Sequence, residues 1–225
     1  HEALVEHLLG GTPEYVINEV GGFTLHQSGR RFYPVQVAEK GLAWLRLPAP
    51  GRPGHSSLPT RDNALAHLAW AIDRLARARL PWHPSEPARA FLSGLAGPFA
   101  ASLLLHPVIG ARLLPLAIAD PARRASVEAI LRNTANPTLI RDGGAKINVI
   151  PGIASVEIDG RLAPGQTAHD LIRELRAVLR DPDGERFGID VLSSSEATVF
   201  SAKTPLFHAI CETLRERDPG GIVVP

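Results

Sequence analysis

The chain has 225 residues, of which 44% are apolar, and a formal net charge of +1. That is enough for one large domain or two small ones with a sizeable core, and too balanced a charge for nucleic acid to be the main partner. A single cysteine, Cys211, excludes an internal disulfide and a cysteine metal cage, so nothing requires an oxidising compartment and the cytoplasm is favoured.

The chain holds no methionine and opens mid-pattern at His1-Glu2-Ala3-Leu4-Val5, which reads as a piece of a longer polypeptide. Glu2 to Leu9 is predicted as a helix end, stopped by Gly10-Gly11. Tyr15-Val16-Ile17 is short, apolar and β-branched, a predicted buried strand that ends at Asn18-Glu19. Arg31 to Ala38 and Gly41 to Leu47 read as two strands joined at Glu39-Lys40. The next segment, Gly51-Arg52-Pro53-Gly54-His55-Ser56-Ser57-Leu58-Pro59, surrounds one histidine with two glycines and two prolines. Such a backbone holds an imidazole on a short, stiff tether. Leu65, Leu68, Ala69, Ile72, Leu75 and Ala76 then fall at helical spacing, with Thr60 as the predicted N-cap and Pro81 as the stop.

From Pro84 to about Arg132 the character changes. Phe91 to Ala111 carries no Asp, Glu, Lys or Arg, yet Gly94, Gly97, Pro98, Pro107 and Gly110 interrupt it too often for a clean membrane span. It reads as a greasy helical insertion that is buried, self-associating or the wall of an apolar channel, and a membrane is not expected as a partner. Pattern returns at Thr138-Leu139-Ile140. A long strand, Ile153 to Leu162, sets Val156, Ile158 and Leu162 on one face and Glu157, Asp159 and Arg161 on the other. Thr167 and Asp170 form a capping box for a helix through Leu179, and Phe187 to Val191 is one more strand. Pro205 to Arg215 is a predicted helix and Gly221-Ile222-Val223-Val224 a strand expected to join Tyr15-Val16-Ile17.

With the insertion set aside, the order from Gly41 is β-α-β-β-α-β. The predicted fold class is therefore α+β, a ferredoxin-like unit over 41–195 with a helical insertion at about 84–132. Residues 1–40 and 196–225 are expected to be pieces of a second, α/β domain.

The stretches Asn18-Glu19-Val20-Gly21-Gly22, Glu39-Lys40-Gly41, the His55 loop, Asp62-Asn63-Ala64, Asn148-Val149-Ile150-Pro151 and Asp159-Gly160-Arg161 with Pro164-Gly165 occur in that order. In this the chain resembles the metallopeptidase family of aminoacylase, acetylornithine deacetylase, succinyl-diaminopimelate desuccinylase, glutamate carboxypeptidase and carboxypeptidase S. The insertion resembles that of the carboxypeptidase S branch and of enzymes that make or split N-fatty-acyl amino acids.

The resemblance implies a hydrolase that uses two zinc ions to cleave an amide beside a free carboxylate, with the ferredoxin-like unit as lid and homodimerisation domain. It implies that Glu19 is a metal ligand and that His55 reaches the partner subunit's active site to donate to an oxyanion. It further implies that Asn148 and Arg161 grip the substrate, a planar guanidinium suiting a carboxylate. The residues alone leave other roles open: His55 as an incidental histidine in a surface turn, Glu19 and Asn148 as turn formers, and Arg161 as a partner of Glu157 or Asp159.

The family's His-x-Asp and Glu-Glu pair are missing from these residues, so the chain by itself is expected to hydrolyse nothing. The competing reading is a non-catalytic ferredoxin-like module for dimerisation or small-ligand binding.

Overall fold

The computed structural model describes residues 13–17, 24–27, 29–58, 60–142 and 146–225. Glu19 and the Glu2 to Leu9 helix lie outside the described residues. Tyr15, Val16 and Ile17 are irregular, and Val16 and Ile17 are 71% and 75% exposed, so the expected buried strand is not formed. No described strand pairs with them, and without a ladder an apolar triplet has nothing to be buried against.

The expected strand from Arg31 to Ala38 divides in two. Among the described residues the first elements are β1 (Leu25–Gln27), β2 (Arg30–Pro34) and β3 (Ala38–Glu39), followed by the long strand β4 (Gly41–Pro50) and the short β5 (Gly54–His55). Helix α1 (Ala64–Arg77) starts later than Thr60. Asn63 caps it by accepting from Leu65 N at 2.9 Å, while Thr60 Oγ1 is taken by Asp62 N in the turn before.

The insertion is four helices, α2 (Glu86–Ala96), α3 (Pro98–Leu105), α4 (Pro107–Ala117) and α5 (Pro121–Leu131), each with proline in its first turn. Then follow β6 (Thr134–Asp142), β7 (Val149–Ile150), β8 (Ile153–Leu162), α6 (Ala168–Leu179), β9 (Asp190–Ser195), β10 (Thr198–Val199), α7 (Pro205–Arg217) and β11 (Gly221–Val224).

Four strands form one antiparallel sheet in the order β6-β8-β4-β9, the ferredoxin-like order of a split βαβ unit. Its spine is the β4–β8 ladder, unbroken from Gly41↔Leu162 to Pro50↔Ile153. Alternation buries Ala43, Leu45, Leu47 and Ala49 from β4 and Val156, Ile158 and Leu162 from β8. Leu68, Ala71 and Leu75 of α1 and Leu171, Leu175 and Leu179 of α6 close over that face. The opposite face is polar, with Arg46 paired to Glu157 at 3.0 Å and Trp44 Nε1 donating to Asp159 at 3.2 Å.

The strand expected at Phe187 starts only at Asp190. The buried Asp181 carboxylate accepts from Phe187 N at 2.8 Å and from Arg186 N at 3.2 Å, which holds this segment as a loop. Phe187 drops into the core and stacks on Trp70. Strand β11 does not join Tyr15-Val16-Ile17. It pairs in parallel with β2, where Asp218 receives Arg31 Nε at 2.7 Å and the Tyr33 hydroxyl at 2.7 Å.

The insertion has its own core of Trp82, Leu92, Leu104, Leu105, Leu114 and Leu131. A polar cluster clamps both its ends to α6. Glu174 accepts from His83 Nε2 at 2.5 Å and from Asn133 Nδ2 at 3.1 Å, and the fully buried Asn133 in turn accepts from Ala163 N at 2.8 Å. Among the described residues no single helix is long and apolar enough to cross a membrane, and α3 and α4 meet at a bend of 117°. The insertion is only partly buried: Phe99 and Leu116 are 80% and 81% exposed.

Gly160 lets β4, β8 and α6 meet closely, because a Cβ there would lie 2.5 Å from Ala43 O and 2.6 Å from Leu171 Cδ2. Gly160→Ala is expected to lower stability by about 1–3 kcal/mol, the usual cost of overpacking a core. Urea denaturation checks this, with Gly54→Ala, which meets nothing within 4 Å, as the neutral control.

Candidate functional site

Beyond Pro50 the β4–β8 ribbon continues as a narrower one. Gly51 N donates to Gly152 O at 2.9 Å, β5 pairs with β7 as Gly54↔Ile150 and His55↔Val149, and Ser56 N donates to Asn148 O at 3.1 Å. The structure therefore brings His55 and Asn148 side by side at one end of the sheet, both exposed.

The glycines of this loop act differently from the expectation, since neither Gly51 nor Gly54 has positive φ. Gly51 is required by close approach: a Cβ there would lie 2.9 Å from Ala64 Cα at the start of α1. The His55 ring is oriented locally. Ser57 Oγ lies 2.8 Å from Nδ1, and Ser57 N donates to Nδ1 at 3.3 Å. An amide can only donate, so Nδ1 is the acceptor and the neutral ring carries its proton on Nε2. That leaves an outward N–H donor, the chemistry that stabilising an oxyanion requires.

Arg161 lies at the opposite end, beside Leu42. Twelve residues of ribbon separate it from Val149, the pairing partner of His55, a length of roughly 40 Å at about 3.3 Å per residue. Its guanidinium donates to Asp159 at 3.3 Å, so the pairing with its strand neighbour is present. Glu157 is engaged instead by Arg46 and Arg141.

Next to Arg161 is a residue that the sequence reading passed over. Lys40 Nζ donates to Ala129 O at 2.9 Å and to Arg132 O at 2.8 Å, capping the C-terminus of α5, with Thr134 Oγ1 at 3.5 Å. Burial, reinforced by the Arg161 charge, lowers its pKa from 10.5 to about 8. The available signal was its place in Glu39-Lys40-Gly41. A cleft of about 240 Å³ opens beside it, walled by Val35, Val37, Phe91, Ile130 and Pro164. Among the described residues no three His, Cys, Asp or Glu side chains gather to hold a metal ion, so these residues alone do not fit a two-zinc centre.

The chain therefore presents an antiparallel split-βαβ sheet with a histidine loop at one end and an arginine at the other. Residues 37–186 match the family described as the peptidase dimerisation domain, and the chain belongs to this family, that of the M20 peptidases. It is 28% identical over 204 residues to the N-fatty-acyl-amino acid synthase/hydrolase PM20D1 of Mus musculus, a match covering 85% of this chain and 38% of that protein. It is 28% identical over 202 residues to "Probable carboxypeptidase S-like 2" of Dictyostelium discoideum, covering 85% of this chain and 36% of that one. The chain thus spans well under half the length of these relatives. Among solved structures, the M20 family metallo-carboxypeptidase Sso-CP2 of Sulfolobus solfataricus superposes with a TM-score of 0.46 at 16% identity, covering 84% of this chain and 52% of that one.

The lowered Lys40 pKa has a consequence for stability. Between about 8 and 10.5 the unfolded chain holds a proton that the folded chain has shed, so stability rises with pH across that window. Tm is expected to climb from pH 8 to pH 10 in the natural sequence, and the slope is expected to flatten in Lys40→Met. Differential scanning fluorimetry across the series checks both.

Proposed function

We propose that the chain is the lid, with flanking pieces of the catalytic domain, of a two-zinc amidohydrolase that cleaves an amide next to a free carboxylate in an N-acyl amino acid or small peptide. In this reading 41–195 is the lid with its insertion at about 84–132, and 1–40 and 196–225 belong to the catalytic domain. The protein is a homodimer through the lid, whose outer strands β6 and β9 leave edges to be paired or covered.

The separation of His55 from Arg161 carries this proposal. A small substrate cannot touch two side chains separated by roughly 40 Å of one ribbon at about 3.3 Å per residue. Two copies related by a twofold axis resolve the distance. His55 and Asn148 of one copy approach the substrate that Arg161 of the other holds. Arg161 exchanges Asp159 for the substrate carboxylate, a like-for-like change of partner. His55 donates Nε2–H to the oxygen that gains charge, and Asn148 contributes its amide. Glu19 is assigned as a metal ligand. The remaining ligands and the general base belong to the parent protein, so the isolated chain hydrolyses nothing. The cleft beside Lys40, walled by Val37, Phe91 and Ile130, suits an apolar acyl group that extends from a carboxylate gripped at Arg161. The same cleft is also what favours the second reading, a non-catalytic module that binds a small ligand.

In the parent protein, His55→Ala is expected to lower kcat by about 100–1,000-fold, as losing one oxyanion donor does, with metal content unchanged. Arg161→Ala is expected to be comparably inactive. Mixing the two variants and allowing subunits to exchange should restore about a quarter of the activity, because half of the dimers then carry one intact composite site. A mixture as inert as its components would sink the two-copy site, and full activity in His55→Ala would remove His55 from the chemistry.

A further inference from the structure

A second cavity, of about 130 Å³, lies between the end of α1 and the junction of α5 with β6. Its walls include Ala76, Ala78 and Leu80 from the first and Arg132, Thr134 and Asn136 from the second. Of the residues that line it, Arg132 is the single charged one, and none is a carboxylate.

Arg132 stands where a charge is costly. It is only 8% exposed, and arginine is rarely so deeply buried unless it is fully partnered. Its main chain is held in place, bridging to Trp82 and accepting from Lys40 Nζ at 2.8 Å. The side chain has fewer partners. Glu128 Oε2 lies 3.3 Å from Nη2, and the Trp82 ring centre lies 5.7 Å from the guanidinium carbon. The buried Nε has no hydrogen-bond partner among the described residues. Glu174, which is bonded to Asn133, lies outside the lining and gives its two oxygens to His83 and Asn133. Burial lowers the Arg132 pKa, Glu128 pulls it back up, and the Arg79 charge lowers it again. Burial is the largest of the three and the net direction is down, so the guanidinium is incompletely neutralised where it stands.

We propose that this cavity binds a small oxyanion, a phosphate or a short carboxylate. Arg132 supplies the charge, and the Thr134 hydroxyl and Asn136 amide supply neutral donors from the same wall. Thr134 Oγ1 lies 3.5 Å from Lys40 Nζ, where it accepts, and so keeps its own proton to donate. At about 30 Å³ per water the cavity has the volume of about four waters, which suits such an ion and is too small for a nucleotide. A neutral guest would leave the guanidinium charge unmet, and a cation would be repelled by it. The bound anion ties the end of α1 to the root of the insertion, beside the Glu174 clamp.

The test is titration of the purified chain with sodium phosphate, followed by calorimetry and by Tm, with ionic strength held constant by sodium chloride. Saturable binding is expected, with Tm rising by mass action above the chloride baseline. Displacement of phosphate by sodium acetate would identify carboxylates as occupants and its failure would identify phosphate, and either supports the site. Asn136→Asp places a carboxylate on the wall and should weaken phosphate binding at least about tenfold. Asn136 is exposed, so the circular dichroism of that variant should match the natural sequence. Arg132→Gln should abolish binding. If it fails to fold, Asn136→Asp decides alone. Phosphate that gives no heat and no Tm rise beyond chloride would overturn the proposal. Unchanged affinity in folded Asn136→Asp would also overturn it, by placing the anion elsewhere on the chain.

Discussion

Ten consecutive residue pairs between β4 and β8 fix the frame of the four-stranded sheet and of the two helices packed on it. Each strand gives its alternate side chains to one core, so the two cannot slip by one residue without turning Leu45, Leu47, Val156 and Ile158 to the polar face. This constraint makes the ribbon a rigid spacer. The histidine loop is a continuation of it at one end and Arg161 a station near the other, and their separation follows from strand geometry and from no feature of either residue.

Much of this frame was legible in the sequence. The β8 strand, the α6 capping box of Thr167 and Asp170, and the split βαβ order all follow from alternation and helical spacing, which are local signals amplified by burial. The failures are also physical. Tyr15-Val16-Ile17 has the composition of a strand, but strand formation depends on partners, and composition does not reveal whether any are at hand. Phe187 looked like strand because it is apolar. It is held as a loop because a carboxylate six residues earlier binds its amide, a contact that no periodicity announces.

The candidate site was legible as a set of residue types and illegible in its arrangement. His55, Asn148 and Arg161 could be picked out by the motifs around them. That His55 and Asn148 are neighbours while Arg161 is remote depends on pairing Gly54 with Ile150 and Leu42 with Arg161, which only the register of the folded sheet provides. Lys40 was missed for the opposite reason. Its partners are main-chain carbonyls of Ala129 and Arg132, and a carbonyl carries no sequence signature.

The clamp at Glu174 has a mechanical implication. Because His83 and Asn133 stand at the two chain crossings into and out of the four-helix excursion, and both grip one carboxylate on α6, that excursion has no independent hinge. Its orientation is inherited from the helix beneath it. A load on the outer corner is therefore carried through α6 into the core face of the sheet on which α6 lies.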